Sequence, residues 1–256
     1  MMRIVYCICF FILGSAMGSF YNVLGLRVVN HESIIKPRSH CDKCGHILSW
    51  YEMIPILSFI FLKGKCRNCK NKLSYLYIFS EFFCGLLFAI SFYSFGFSWN
   101  LGICLILSSL LIIVTVCDIT YMIIPDRFII VSSVLILIIK LIGFGLREFL
   151  FSLLFGLIAF GVMFLIMKFG EYIFKKESLG GADVKLMFTV GICLEPFLSL
   201  LVIIIASFIA LPISLVLLIK EREHAIPFGP FILIGLMIVF LTKLDTLKII
   251  HFLLGK

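Results

Sequence analysis

Charged residues are scarce in this chain, and acidic residues are the scarcest of them. Only 14% of the 256 residues are charged, whereas 62% are hydrophobic, and the mean hydropathy is +1.19. Soluble globular domains carry about 25% charged residues, so this composition excludes that class. Apolar runs of about 20 residues recur along the chain and predict membrane-spanning helices. Only helices satisfy the backbone of such runs inside a bilayer.

Internal repeats, low-complexity tracts and a glycine-rich nucleotide-binding turn are also missing from the sequence. Inverted repeats are common in transporters, so their absence weighs against that class, although acids in membrane segments often mark ion paths. Because the glycine-rich turn that joins a strand to a helix is missing, the sequence does not indicate which residues would bind a nucleotide-like cofactor.

The apolar runs predict an all-α polytopic membrane protein with about eight transmembrane helices; seven spans are the alternative. The first twenty residues resemble a signal peptide, but their run continues and is long enough to span. Glu195-Pro196 is a natural break that divides residues 186–219 into a short and a full segment. The remaining segments are predicted at about 4–24, 75–96, 100–118, 127–146, 148–168 and from Pro230 to between 242 and 253.

Basic residues are concentrated in the loop 25–74, which the positive-inside rule places in the cytoplasm. Eight spans then put both termini outside. A basic face also meets anionic lipid headgroups. Topology alone explains this charge, so we expect membrane lipids as partners and no nucleic acid. The basic residues of this stretch are Arg27, Lys36, Arg38, Lys43, Lys63, Lys65, Arg67, Lys70 and Lys72.

Four cysteines of the same loop form two Cys-x-x-Cys pairs, a pattern typical of a structural zinc site. Four free cysteines, a redox role and tetrathiolate iron are the alternatives. The flanking His40 and His46 are interpreted as bystanders. A site filled by four sulfur ligands leaves no open position, so its predicted role is to fold the loop. The predicted metal ligands are Cys41, Cys44, Cys66 and Cys69, and the other six cysteines lie in apolar runs as small hydrophobes.

Two of the five aspartates lie at the ends of apolar runs. Asp118 ends "LLIIVTVCD", and Asp183 opens the run that follows "SLGGA". The topology places both at the cytoplasmic ends of helices, where two neighbouring carboxylates can share a proton and act as general base and general acid. Asp126 follows in "IPD", where it is expected to cap a helix. Asp42 belongs to the first cysteine pair and Asp245 lies near the outer end of the chain.

Spacing alone leaves the role of these aspartates open. Each can instead be a helix cap or a partner of a lysine, with Asp183 and Lys185 as the obvious pair. A transporter or ion channel, an inactive zinc-ribbon adaptor and a presenilin-type intramembrane peptidase therefore remain alternatives. A presenilin-type peptidase leaves the four cysteines without an explanation.

Several short motifs, in order along nearly the whole chain, resemble the type IV prepilin peptidase family. The family's glycine-x-glycine-aspartate motif reads Gly180-Gly181-Ala182-Asp183 here, with alanine in place of the last glycine. The matching stretches are "GSFYNVLGLR" (18–27), "PRSHCDKC" (37–44), "SWYEMIPILSFIFLKGKCRNC" (49–69), "SEFFCGLLF" (80–88), "DITYMIIPD" (118–126), "LGGADVKL" (179–186) and "PFGPFI" (227–232).

The resemblance implies a membrane aspartic peptidase that removes the basic leader of prepilins or pseudopilins, with Asp118 and Asp183 as the catalytic pair. It also implies S-adenosylmethionine-dependent N-methylation of the new N-terminus, associated with the cysteine loop, and a multi-pass protein of the bacterial cytoplasmic membrane. Peptidase activity alone is the alternative. We divide the chain into residues 1–74, associated with methylation, and residues 75–256, the peptidase domain. The substrate's pilus, competence or secretion role is left open.

Overall fold

The structure, a computed structural model, describes residues 2–41, 43–175, 180–219, 227–244 and 246. Helices account for most of this part of the chain, and its only β-type pairing consists of two isolated bridges in the cysteine loop. A 3₁₀ turn covers Trp50–Met53. The α-helices are α1 (Met2–Val29), α2 (Leu57–Phe61), α3 (Tyr75–Phe95), α4 (Trp99–Tyr121), α5 (Asp126–Phe144), α6 (Leu146–Phe174), α7 (Gly181–Cys193), α8 (Pro196–Ile219) and α9 (Gly229–Leu241).

The all-α polytopic prediction is confirmed, since eight long or medium helices occur where the apolar runs are. Six of them, all except α7 and α9, are long and apolar enough to cross a membrane. The helices α7 and α9 have 13 residues each, which is about 20 Å of helix and less than the roughly 30 Å of a bilayer core. The predicted break at Glu195-Pro196 is confirmed, because α7 ends at Cys193 and α8 begins at Pro196.

Helix α4 is the centre of the bundle and belongs to two cores. On one side it packs against α1 and α3, and on the other against α5 and α9. The smaller core includes Tyr21, Phe88 and Val116. The larger core contains residues of α4 and of all five helices from α5 to α9. Leu107, Leu186 and Leu236 are among its buried members. Packing on both sides explains why α4 carries the most deeply buried apolar stretch of the candidate spans.

Small residues allow α1 and α3 to approach closely along their length, as is common between helices in membranes. A Cβ atom added at Gly14 would lie 2.7 Å from the carbonyl oxygen of Cys84, and one at Gly18 would lie 2.9 Å from the Cα of Glu81. Neither position has room for a larger residue. The two helices run antiparallel and carry the loop 30–74 between them at one end of the bundle, which we call the loop end.

The loop end also holds the end of α4. The side-chain amide of Asn30, just after α1, donates to the hydroxyl of Tyr121 at 2.8 Å. Met122 then adopts a left-handed conformation, with φ of 55°, and its N–H closes the last turn on the carbonyl of Asp118. Asp245 and most of the range predicted for the end of the last segment lie outside the described residues.

Candidate active site and metal centre

Each Cys-x-x-Cys pair lies in a tight hairpin closed by a β-bridge. His40 pairs with Ile47 around the first hairpin, and Lys65 pairs with Lys72 around the second. The residue after the second cysteine has positive φ in both, 68° at Gly45 and 57° at Lys70. The two hairpins therefore present their sulfurs in the same way, although Asp42 lies outside the described residues.

The four predicted metal ligands lie together. The Sγ atoms of Cys41 and Cys69 are 3.8 Å apart, those of Cys44 and Cys66 are 3.9 Å apart, and all four lie within 4.8 Å of one another. A zinc–sulfur bond of about 2.3 Å gives a tetrahedron with edges of about 3.8 Å. The separations and the four-sulfur donor set therefore fit a tetrahedral Zn²⁺ or iron ion.

Four thiols at this spacing favour a cation because their thiolates repel one another. Backbone N–H groups of Lys43 and Cys44 lower the pKa of the Cys41 thiol to about 7. The N–H of Asn71 favours the Cys69 thiolate, but burial and the neighbouring sulfurs raise the pKa of Cys69 to about 11. A bound metal ion removes this conflict by neutralising the thiolates.

The two histidines near the first pair have other partners. Nε2 of His46 lies 3.2 Å from Oε2 of Glu52, and Nδ1 of His40 lies 2.9 Å from the carbonyl oxygen of Arg38. Burial opposes the charge of Glu52, but hydrogen bonds from the Ser49 backbone and from His46 lower the pKa of its carboxyl below the usual value. Neither histidine belongs to the four-sulfur group found in the described part of the chain.

Asp118 lies in the last turn of α4 and is buried, with 6% of its surface exposed. Its carboxylate accepts a hydrogen bond from the backbone N–H of Gly229, the first residue of α9. The first N–H groups of a helix have no partner within the helix, so they are suited to bind a carboxylate. The start of α9, which packs directly against α4, therefore holds Asp118 in place.

Asp183 lies in the first turn of α7 and is also buried, with 8% exposed. Its carboxylate turns back over the residue that precedes the helix, because a Cβ atom added at Gly180 would lie 3.0 Å from Oδ2 of Asp183. Ala182 has an ordinary helical conformation and packs against the large core. The alanine that replaces the family's glycine is thus accommodated without backbone strain.

The structure brings the two aspartates to the same end of the large core. Gly229, whose N–H binds Asp118, also lies next to Leu186, which is one turn after Asp183 in α7. In the described part of the chain, neither forms an ion pair with a lysine, arginine or histidine. Two buried, mutually repelling carboxylates are an arrangement that can share one proton.

Asp126 does not have the expected capping role. Helix α5 begins at Asp126 itself, its N-cap is Pro125, and no side chain caps it. Oδ2 of Asp126 instead lies 2.6 Å from Nζ of Lys185, in an ion pair that is about half exposed at both ends. The alternative pair of Asp183 with Lys185 is therefore wrong, because Lys185 is engaged by another helix.

The sequence reasoning did not identify Gly229 as a partner of Asp118. A Cβ atom at Gly229 would lie 2.5 Å from Cδ1 of Ile124 and 3.3 Å from both Cγ1 of Val114 and Cδ1 of Leu186. Only glycine fits at this junction of α4, α7 and α9. The signal in the sequence is "FGP", a glycine before a proline at the start of a helix.

These observations define the class, a multi-pass helical membrane protein with a four-cysteine cluster and two buried aspartates at one end of the bundle. The sequence profile of the Bacterial Peptidase A24 N-terminal domain matches residues 12–95, and that of the Type IV leader peptidase family matches residues 105–215. The chain belongs to the type IV leader peptidase family, and the predicted resemblance is confirmed. This is a family of membrane enzymes, and both predicted catalytic aspartates lie within the peptidase match.

Several curated relatives are named prepilin leader peptidase/N-methyltransferase. The one from Bacillus subtilis is 39% identical over 184 residues, which are 72% of this chain and 72% of that protein. The one from Vibrio cholerae is 31% identical over 260 residues, covering 93% of this chain and 98% of the relative. The one from Myxococcus xanthus is 35% identical over 188 residues, but the match spans only 56% of that protein's length. No solved structure matches the chain.

Proposed function

We propose that this protein cleaves the basic leader from prepilins or pseudopilins, using Asp118 and Asp183 as a proton-sharing pair. The observation that carries the proposal is the burial of both carboxylates near each other with no counter-cation among the described residues. A structural aspartate at the end of a membrane helix is normally paired or capping, because an unpaired buried charge is costly. Family membership supports the same assignment.

In the proposed reaction, one carboxylate takes a proton from a water molecule while the other donates its proton to the carbonyl oxygen of the scissile bond. The N–H of Gly229 orients Asp118, and the missing side chain at Gly180 leaves the space that the carboxylate of Asp183 occupies. The carboxyl that took the water's proton then gives it to the nitrogen of the scissile bond. The carbon–nitrogen bond breaks, the leader keeps a new carboxyl group, and the mature pilin keeps a new N-terminal amine. This amine is the group that the second activity requires.

In this proposal the loop end lies on the cytoplasmic side of a bacterial membrane, and both termini lie on the outer side. The basic residues of the loop support this orientation. A prepilin then meets the aspartates from within the bilayer, with its basic leader in the cytoplasm and its apolar helix beside the bundle. Membrane lipids and prepilin precursors are the proposed partners.

The four cysteines are proposed to hold one structural Zn²⁺ that folds the loop. Residues 1–74 are associated with N-methylation of the new N-terminus, with S-adenosylmethionine as methyl donor, and residues 75–256 with the peptidase. The names of the relatives support the second activity. The donor set of the four cysteines leaves no position for a reacting group, so methyl transfer is assigned elsewhere.

The test uses membranes carrying the wild type or Asp183→Asn, a candidate prepilin and S-adenosylmethionine. The mass of the product's N-terminus reports both activities. We expect leader loss and one added methyl group with the wild type, and an uncleaved substrate with Asp183→Asn. Full cleavage by the variant would remove Asp183 from the pair, and leader loss without the added methyl would leave a peptidase alone.

A further inference from the structure

A second buried acid in the bundle is not explained by proteolysis. Glu81 lies in α3, 8% exposed, and faces α1 where Gly18 brings the two backbones together. Oε2 accepts the N–H of Ile56 at 2.7 Å, and Ser19 of α1 also hydrogen-bonds the side chain. Among the described residues, no lysine, arginine or histidine forms an ion pair with it.

The neighbouring Asn22 has an unused hydrogen-bonding group. Its Oδ1 accepts from the hydroxyl of Ser80 at 2.7 Å, but its Nδ2 is buried and has no hydrogen-bond partner in the part of the chain that the structure describes. Only 2% of Asn22 is exposed. A buried amide N–H without an acceptor is destabilising, so its presence here points to a ligand that supplies the acceptor.

Glu81 and Asn22 together match the chemistry of a cleaved pilin's N-terminus. The buried carboxylate lacks a cation, and the new N-terminus is an ammonium ion. The unpaired amide N–H lacks an acceptor, and the first residue of the product has a carbonyl oxygen next to its amine. The site lies about two helical turns from the loop end of α1, within reach of the membrane interface.

The helix that carries Asn22 lies directly against the helix that carries Asp118. Sγ of Cys117, next to Asp118, is 3.5 Å from the carbonyl oxygen of Gly25 in α1. Asn22 and Gly25 are one turn apart on the same helix. The two sites therefore lie on adjacent helices and near the same end of the bundle.

We propose that Glu81 and Asn22 form the site that receives the new N-terminal amine for methylation. This inference rests on the proposed N-methyltransferase function and assigns residues to it. It also extends the region associated with methylation beyond residue 74 to include Glu81, since both residues lie within the match to the N-terminal domain, residues 12–95. Asn22 holds the carbonyl of the first residue and Glu81 takes one proton from its ammonium group. The freed amine then forms a bond to the methyl carbon of the sulfonium donor. The carbon–sulfur bond breaks, and its electron pair remains on sulfur.

The test compares Glu81→Gln with the wild type in the prepilin assay, and Glu148→Gln is the matched control at an exposed position of α6. Glutamine keeps the shape and hydrogen-bonding capacity of a neutral acid, so a purely structural role of Glu81 survives the change. We expect normal leader cleavage and methylation reduced about a hundredfold or more, since general bases contribute 10²–10⁴-fold. Methylation at the wild-type rate by Glu81→Gln would overturn the inference.

A binding measurement without any methyl donor separates this site from the overall activity. The probe is a peptide with the mature pilin N-terminus, with either a free or an acetylated amine, added to detergent-solubilised protein. We expect the wild type to prefer the free amine about tenfold or more, and Glu81→Gln to lose that preference. Equal binding of both peptides by the wild type would overturn the site.

Asn22→Ala provides an independent variant in case Glu81→Gln disturbs folding. It should cleave the leader normally while methylating at least about tenfold more slowly, because one hydrogen bond to the substrate is lost. Normal methylation by this variant contradicts the proposed role of Asn22. If the wild type itself cleaves without methylating, the proposed methyltransferase activity fails and the peptidase remains. The binding measurement with free and acetylated amines then still decides whether Glu81 and Asn22 bind an N-terminal amine.

Discussion

The ammonium group of Lys185 lies 2.6 Å from the carboxylate of Asp126, on a different helix, although Asp183 is only two positions away in the sequence. This ion pair ties the start of α7 to the start of α5 at the protein surface. It also leaves Asp183 without a cation in the described part of the chain. Asp126, which pairs with Lys185, can therefore be compared as a structural acid with Asp183, the proposed catalytic acid.

The first prediction concerns the exchange of each acid for its amide. Asp118→Asn and Asp183→Asn should lower leader cleavage about a thousandfold or more, because neither amide can act as a general base or donate an acidic proton. Asp126→Asn should retain cleavage, since an exposed ion pair contributes only about 0–1 kcal/mol. Cleavage is measured on membranes with equal amounts of inserted protein. A large loss in Asp126→Asn alone would reverse the assignment.

The second prediction concerns the two glycines before Asp183. A Cβ atom at Gly180 meets Oδ2 of Asp183 at 3.0 Å, whereas one at Gly181 has no atom of the described residues within 4 Å. Gly180→Ala should displace the carboxylate by a few tenths of an ångström and lower kcat about tenfold, since small misplacements are costly in catalysis. Gly181→Ala is the matched control and should keep normal turnover. Equal kcat values for the two variants would refute the positioning role of Gly180.

The third prediction concerns the metal. Purified protein should contain about one zinc ion per chain by elemental analysis, and Cys44→Ser should lose most of it because one of four ligands is missing. Cys9→Ser, at an exposed cysteine of α1 outside the cluster, should keep the full metal content. The absence of tightly bound metal would contradict the metal site. A coloured protein that contains iron would show that the bound metal is iron and not zinc.

The fourth prediction concerns the packing of α1 on α3. A methyl group at Gly14 would lie 2.7 Å from the carbonyl oxygen of Cys84, so Gly14→Ala should lower the free energy of unfolding by about 1–3 kcal/mol. Gly161, within α6, has no neighbour within 4 Å of the added carbon. Gly161→Ala should therefore leave stability unchanged or slightly higher. Thermal unfolding in detergent measures both variants, and equal transition temperatures would contradict the close packing.

The sequence was sufficient to predict the helices and the cysteine cluster, for identifiable physical reasons. Long apolar runs have one stable form in a bilayer, and two Cys-x-x-Cys pairs have few uses other than metal binding. It was not sufficient to assign the partner of Lys185, which depends on how α5 and α7 meet. The contact from Gly229 to Asp118 joins residues far apart in the chain, and no local pattern encodes their distance.

The buried pair of Glu81 and Asn22 was also beyond the sequence reasoning. Both residues lie in predicted membrane segments, but the sequence does not show whether polar residues of two different segments contact each other. Only the close approach of α1 and α3 at Gly18 shows that they share one interface. The sequence motif "SEFFCGLLF" contributed to the family resemblance without indicating what its glutamate contacts.

The short helices α7 and α9 lie mostly inside the bundle. Each has only about 20 Å of helix, and their first residues are the ones that hold the two aspartates. Most of their side chains are buried, so other helices surround them rather than lipid. Non-helical backbone at membrane depth is tolerated where it is enclosed by protein or lines a water-filled cavity. We therefore expect the water for the proposed hydrolysis to reach the aspartates along the starts of these two helices, within the protein rather than through the acyl chains.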